Sequence, residues 1–296
     1  MIYLTEEDWS NLILSKLNNE ESFKNEFIEF RKIYNMINFF CKKIYQNGKE
    51  QQKIFVSTEI IFQKFRICSN FSLFKYSLEE LYILLGACLY IGQRAMNILK
   101  IKIDNISFLI KQLINKKNPK FNIDIKDLNQ KLFQKEYDIL TVIGFNIEID
   151  SPYPFLYKLT KYLSKSELNS ENFFILLTYI IKDSYILPLS LYFTPNSIII
   201  SSLNYLKDKY NLKFINIKEI ISLSDYNIDD KEIMQCTSLI GKIEIAINNK
   251  KNQNNISHNN LIINKNEYKE EKIKKDPFSN DSSITKVKSC IKMNID

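Results

Sequence analysis

The sequence predicts an all-α protein of two tandem five-helix domains, with an N-terminal helix before them and a disordered tail after them. The first observation is residues 77–94, SLEELYILLGACLYIGQR, where apolar residues cover every face of the expected helix. Such a helix must lie at the centre of a bundle. The second is the scarcity of Gly and Pro, 5 and 6 among 296 residues, which argues against a turn-rich β architecture. The third is a repeat, because five more helical segments follow residue 154.

Four amphipathic patterns surround this central helix in the first half of the chain. Each places apolar residues at three- and four-residue steps, and the predicted ranges are 26–45, 52–68, 104–115 and 127–143. Ser77 is expected to cap the central helix, and Gly144 to end the fifth helix. Gly86 and Ala87 predict a close crossing by a neighbouring helix. Gly92-Gln93-Arg94 predicts that the end of the central helix reaches the surface with a positive charge.

The second half repeats this arrangement after a linker with two prolines at residues 145–154, FNIEIDSPYP. The helices predicted there cover residues 155–163, 172–187, 195–210, 217–223 and 229–248. Residues 184–206 are uncharged and long enough to suggest a membrane span. Pro188 and Pro195 interrupt them, so two buried helices that meet at a turn are predicted instead.

These patterns divide the chain into four regions. Residues 1–25 are predicted as an N-terminal helix, residues 26–148 as the first domain and residues 149–248 as the second. Residues 249–296 are rich in Lys, Asn and Ser, with only isolated apolar positions. Such a composition buries too little surface to offset the entropy of ordering, so a disordered tail is predicted.

Composition argues against several classes of function. The net charge of +7 comes almost wholly from lysine, which is weak support for nucleic-acid binding. His258 is the only histidine and lies in the predicted tail, so no Ser-His or Cys-His catalytic pair is expected. The glycines form no phosphate-binding loop, and no C-x-x-C pair suggests a zinc site. The chain is therefore expected to be no enzyme and to need no cofactor or metal, and its unpaired cysteine pattern suggests a reducing compartment.

Several segments in order resemble the cyclin family. EFRKIYNMINFF, STEIIFQKFRI and LYILLGACLYIGQR are similar to a first cyclin box, and KEYDILTVIGFNIEIDSPYPFL to the junction between two boxes. KDSYILPLSLYFTPNSIIISSLNYL resembles the second box of transcription-type cyclins, above all cyclins K, L and T. The resemblance covers residues 26–248. The chain departs from the family at Met96-Asn97, where cyclins carry a pair of glutamates.

The resemblance implies two tandem cyclin boxes and a regulatory role. A cyclin binds and activates a cyclin-dependent kinase by fixing the kinase's mobile helix in its active position. For this chain it implies a kinase of the transcription-regulating kind and a nuclear location, with the cytoplasm as a second one. Neither a membrane nor a specific nucleic acid is expected as a partner.

Three residues match kinase-binding positions of the family. Arg94 stands where cyclins have a lysine, Glu136 at their glutamate, and Phe145 at an aromatic that packs against the kinase helix. The two charges are expected to be largely exposed in the free protein and to pair with each other across a groove. Phe145 is expected to contribute to both stability and binding. From the residues alone, a second reading of Glu136 is a solvated helix charge, and a second reading of Arg94 is a cap of the helix dipole.

A second class of protein shares the tandem fold. General transcription factors of the TFIIB type bind promoter DNA, begin with a zinc ribbon and expose arginine-rich stripes. This sequence has only Arg31, Arg66 and Arg94 as arginines, and no zinc-ribbon pattern. The TFIIB-like alternative is therefore kept behind the kinase-binding hypothesis, and salt dependence of DNA binding is expected to separate the two.

Overall fold

The computed structural model describes residues 20–69, 75–117, 119, 123–163, 171–212 and 215–264. Within these ranges the backbone forms ten α-helices, one short 3-10 helix and no β-strand, so the all-α prediction is confirmed. Most of the predicted N-terminal helix, residues 1–19, lies outside the described residues, and so do residues 265–296 of the predicted tail.

The helix boundaries agree with the predicted ranges to within a few residues, apart from two starts and the end of the last helix. The helices are α1 (Glu20–Ile44), α2 (Gly48–Ser69), α3 (Leu78–Ala95), α4 (Ile103–Lys117), α5 (Ile125–Val142), α6 (Tyr153–Leu163), α7 (Glu171–Ser184), α8 (Pro195–Tyr210), α9 (Ile217–Ser222) and α10 (Asp230–Asn264), with the 3-10 helix at Leu189–Leu191. Helix α10 continues 16 residues beyond its predicted end at residue 248. No glycine or proline interrupts residues 249–264, so nothing local ends the helix there, and it extends into the predicted tail.

The chain forms two compact units. One consists of Met1–Phe155 with Tyr185–Pro195, and the other of Leu156–Ser184 with Asn196–Asp296. The domain ranges 26–148 and 149–248 stay predictions.

Gln63 explains why the 185–195 segment packs with the first unit. Its buried amide donates hydrogen bonds to the carbonyl oxygens of Tyr185 at 2.8 Å and Leu187 at 3.3 Å, and the hydroxyl of Ser190 donates to its Oε1 at 3.2 Å.

Helix α3 is the centre of the first unit, as the sequence predicts. Every residue from 81 to 89 is buried. Ser77 begins the helix with a capping box, because its hydroxyl accepts from the amide of Glu80 at 3.2 Å and its own amide donates to the Glu80 carboxylate at 2.8 Å. Reciprocal capping of this kind fixes where the central helix starts.

Two glycines of α3 lie in close contacts, but of different kinds. A Cβ at Gly86 would meet the side chains of Ile110 at 2.9 Å and Leu132 at 3.1 Å. A Cβ at Gly92 would meet Ser57 Oγ at 2.8 Å and the backbone nitrogen of Thr58 at 3.0 Å. The close backbone crossing predicted at Gly86-Ala87 is therefore found six residues later, at Gly92, where α2 crosses α3.

Helix α8 has the matching place in the second unit. Residues 195–203 are buried, including Ser201 and Ser202. The Ser201 hydroxyl donates to the carbonyl oxygen of Ile233 on α10 at 3.2 Å, and that of Ser202 to the carbonyl oxygen of Ile198 at 2.8 Å.

Of the helices described, none combines the length and the apolar character needed to cross a membrane.

Candidate partner-binding surface

The structure brings Arg94 and Glu136 together. Arg94 lies in the last turn of α3 and Glu136 in the fourth turn of α5, and Arg94 Nη1 donates to Glu136 Oε1 at 2.8 Å. The pairing that the sequence predicts between these residues is therefore present in the first unit. Their role in binding a kinase stays a prediction.

The two partners differ in exposure, and here one expectation is wrong. The Arg94 side chain is 48% exposed, but that of Glu136 is only 9% exposed. Glu136 is buried because it follows Leu132 by four residues and precedes Ile139 by three, on the inward face of α5. Burial raises the pKa of the Glu136 carboxyl above its usual value, and the positive charge of Arg94 opposes that rise.

Tyr90 fixes the other side of the Arg94 guanidinium. Arg94 Nη2 donates to the Tyr90 hydroxyl at 3.2 Å, and the guanidinium carbon lies 4.6 Å from the centre of the Tyr90 ring. The Tyr90 ring in turn meets Phe133 of α5 edge to face, at 6.3 Å and 78°. Arg94 is thus oriented by a carboxylate and by an aromatic pair.

Two aromatic side chains on the outer face of α5 remain open to solvent. Phe133 is 47% exposed and Tyr137, one turn later, is 60% exposed. We call Tyr90, Arg94, Phe133 and Tyr137 the aromatic surface. Large exposed aromatics around an oriented arginine are typical of the centre of a protein interface.

Phe145 follows the end of α5 in an unusual backbone conformation. Gly144 and Phe145 have φ angles of +63° and +58°. The amide of Phe145 donates to the carbonyl oxygen of Leu140 at 2.7 Å, and that of Gly144 to Thr141 at 3.2 Å, which is the Schellman ending. The prediction that Gly144 ends the helix is confirmed. Phe145 is 60% exposed, so burial of its ring gives little support to the expected contribution to stability, which stays a prediction.

The departure from the cyclin pattern at Met96-Asn97 forms the turn that ends α3. Met96 is the C-cap of α3, and Asn97, with a φ of +53°, donates its amide to the carbonyl oxygen of Arg94 at 3.0 Å. Gln93 was expected at the surface but is 1% exposed. Its side chain accepts from the Tyr45 hydroxyl at 3.1 Å and donates to the carbonyl oxygen of Ile101 at 2.9 Å. Gln93 therefore joins α3 to the residue that follows α1 and to the loop that follows α3.

The comparisons with known proteins find similarity among solved structures. No protein-family model matches the chain, and no curated protein matches it. Among solved structures, the chain is similar to a viral cyclin from herpesvirus saimiri. The two share 17% sequence identity with a TM-score of 0.49, and the match covers 74% of this chain and 85% of that chain.

Sequence reasoning missed three members of the aromatic surface, namely Tyr90, Phe133 and Tyr137. A signal for two of them was present, because positions 133 and 137 lie on the face of α5 where an amphipathic helix normally carries polar residues.

The ranges that the structure describes contain no group of three or more His, Cys, Asp or Glu residues able to hold a metal ion.

Proposed function

We propose that the chain is a non-catalytic regulatory subunit that binds and activates a cyclin-dependent kinase of the transcription-regulating kind, in the nucleus. One observation carries the proposal: a half-exposed arginine, fixed by the buried carboxylate of Glu136, lies among exposed aromatic rings at the end of the central helix. The positions of Arg94, Glu136 and Phe145 in the cyclin-like segments of the sequence support it.

The physical logic of activation fits such a surface. A protein kinase is active only when the glutamate of its mobile helix pairs with the lysine that positions ATP. A partner that binds only this conformation raises its population by the difference in its affinity for the two states. That partner needs rigid apolar area for affinity and a fixed charge that sets the position of the kinase helix along its surface. It needs no catalytic group.

Arg94 is suited to set the position of the kinase helix on this surface. Its guanidinium has five N–H donors, and two of its nitrogens already face Glu136 and Tyr90. The remaining donors lie on a half-exposed group, where they can reach carbonyl oxygens at the end of a kinase helix or a carboxylate. Phe133 and Tyr137 supply the apolar area beside it.

Reconstitution with purified kinases tests the proposal. The full chain is mixed with a panel of cyclin-dependent kinase catalytic subunits, and dissociation constants are measured by calorimetry together with peptide phosphorylation rates. We expect no phosphorylation by the chain alone, and at least a tenfold rise in the rate of one kinase. Arg94→Ala should weaken that complex at least about tenfold, whereas Lys158→Ala, a control at an exposed cation of α6, should not. Phosphorylation by the isolated chain, or a panel in which no kinase binds, would contradict the proposal.

The charges of α5 favour a protein partner over DNA. A phosphate backbone is bound by several cations together, but two of the three lysines on α5 have acidic neighbours. Lys131 pairs with Glu79 at 2.9 Å and Lys135 with Asp138 at 3.4 Å. The TFIIB-like alternative would show DNA binding that falls steeply as salt is added, and the same preparations can be tested for it.

A further inference from the structure

Lys64 makes an unusual set of contacts on the outer side of α2. Its ammonium group donates to the carbonyl oxygen of Asn146 at 3.3 Å, to the side-chain oxygen of the same residue at 3.2 Å, and to the carbonyl oxygen of Glu148 at 2.9 Å. All three acceptors belong to the segment directly after Phe145. An ammonium has three N–H donors, so one side chain can bind all three oxygens.

The segment that Lys64 binds begins in a strained conformation. Phe145 is a bulky residue at a φ of +58°, in the left-handed region that L-residues other than Gly, Asn and Asp rarely adopt. Burial of its ring does not compensate, because the residue is 60% exposed. Strained residues persist where the surrounding contacts determine their conformation, and they concentrate at functional sites.

Hydrogen bonds fix this turn from both sides. Before Phe145, its amide is bound to the carbonyl oxygen of Leu140 at 2.7 Å. After it, the amide of Asn146 donates to Ile143 at 3.2 Å, and the amide of Ile147 donates to the carbonyl oxygen of Phe145 at 3.0 Å. Lys64 supplies the contacts to a different helix. The other hydrogen bonds described here for this turn are all to its own neighbours in sequence.

We propose that Lys64 is a positioning residue of the partner-binding surface, which presents the Phe145 ring to the partner by fixing residues 146–148 against α2. The inference rests on the proposed function and adds a residue to it. An aromatic that is already ordered in the free protein loses little conformational entropy on binding, so its contact area yields more affinity. Lys64 affects partner binding through Phe145, and Lys64 itself does not contact the partner.

The first test needs no kinase. In the full chain, Lys64→Met keeps the length of the side chain and removes its donors, while Lys64→Arg keeps donors. Hydrogen exchange of the Phe145 and Ile147 amides should become about tenfold faster in Lys64→Met, because local opening becomes easier. Lys64→Arg should restore much of the protection. Lys53→Met, at a half-buried lysine of the same helix, serves as the control and should leave both amides unchanged. Unchanged exchange in Lys64→Met would overturn the positioning role.

The second test is a double-mutant cycle on kinase affinity. Lys64→Met should weaken binding about fivefold in the native background and should have no further effect when Phe145→Ala is present. An equal loss in both backgrounds would mean that Lys64 contacts the kinase itself, and the inference would be wrong. If the unmodified chain binds no kinase, the proposed function and the binding half of this inference both fail. The exchange measurement still decides whether Lys64 fixes the turn.

Discussion

Two arginines of the first unit lie in similar surroundings but with opposite exposure. Arg66, at the end of α2, bonds to Glu26 at 2.6 Å and Glu29 at 3.2 Å, and its guanidinium carbon lies 3.7 Å from the centre of the Phe30 ring. Arg94, at the end of α3, has a carboxylate and a ring as well. The Arg66 side chain is 10% exposed, whereas that of Arg94 is 48% exposed above a buried Glu136.

This difference separates a structural ion pair from one that is open to a partner. At Arg66 the cation is buried and its two carboxylate partners are partly exposed. The guanidinium therefore stabilises the contact between α1 and α2 and is not accessible to a partner. Burial lowers the pKa of Arg66, whereas the negative charges of Glu26 and Glu29 raise it. An arginine keeps its charge throughout the physiological range. At Arg94 the anion is buried and the cation faces water. The same residue types thus give a closed contact in one place and an accessible charge in the other.

The largest expected effect is the loss of the closed contact. Arg66→Met removes two ion pairs and leaves Glu26 and Glu29 close together without their cation. We expect a loss of about 2–4 kcal/mol in the free energy of unfolding, measured by urea titration. Arg66→Lys keeps the charge but loses the planar fork, so its loss should be smaller. A loss below about 1 kcal/mol for Arg66→Met would show that the contact is worth no more than a surface pair.

The open pair should contribute less to stability and more to binding. Arg94→Ala should lower the free energy of unfolding by about 1–2 kcal/mol, between the values for exposed and buried pairs, because only Glu136 is buried. Kinase affinity should fall at least about tenfold. Glu136→Gln, which still accepts a hydrogen bond from Arg94, serves as the control that keeps the shape of the pair. An affinity unchanged by Arg94→Ala would place the partner surface elsewhere.

A smaller effect of the opposite sign is expected at Phe145. Phe145→Gly relieves the left-handed strain at little cost in buried area, so it should raise the free energy of unfolding by about 0.5–1 kcal/mol. The same change should weaken kinase binding about tenfold or more. Phe145→Ala removes the ring but keeps the strain, so it should change stability little and reduce affinity equally. A clear loss of stability in Phe145→Gly would show that the ring packs against the protein after all.

The smallest expected effect is a pH dependence of the open pair. The pKa of Glu136 is raised in the folded state, so its contribution to stability is complete below its unfolded pKa, about 4.3, and is lost as the pH rises through the folded pKa. Arg94→Ala removes the charge that opposes this rise. The stability lost in Arg94→Ala should therefore shrink by about 0.5 kcal/mol between pH 7 and pH 4. Urea titrations of both proteins at the two pH values measure it, and a constant difference would contradict the electrostatic pairing of Arg94 with Glu136.

The sequence predicts the framework of the first unit well. The burial of α3 follows from apolar residues on every face, and its start from Ser77, because these signals are local. The pairing of Arg94 with Glu136 follows from the resemblance to cyclins. The burial of Glu136 was readable from its spacing to Leu132 and Ile139, but a charged residue is normally assigned to the solvent side.

Other features have no signal in the sequence. Lys64 binds main-chain carbonyl oxygens more than 80 residues away, and every residue type carries such an oxygen. Gly144 predicts one left-handed residue at the helix end, but nothing about phenylalanine predicts a second at position 145. The burial of Gln93 depends on Tyr45 and Ile101, which lie on separate parts of the chain. Tertiary contacts decide all three.

The close crossing of α2 and α3 at Gly92 limits which residues related sequences can carry at this position. A methyl group there would lie 2.8 Å from Ser57 Oγ and 3.0 Å from the main-chain nitrogen of Thr58, and main chain cannot be exchanged for something smaller. We expect a descendant with alanine at position 92 to have moved α2 outward by a few tenths of an ångström. Such a shift at α2 would also move Lys64, two turns further along the same helix. Position 92 therefore constrains the lineage through the packing of α2 against α3.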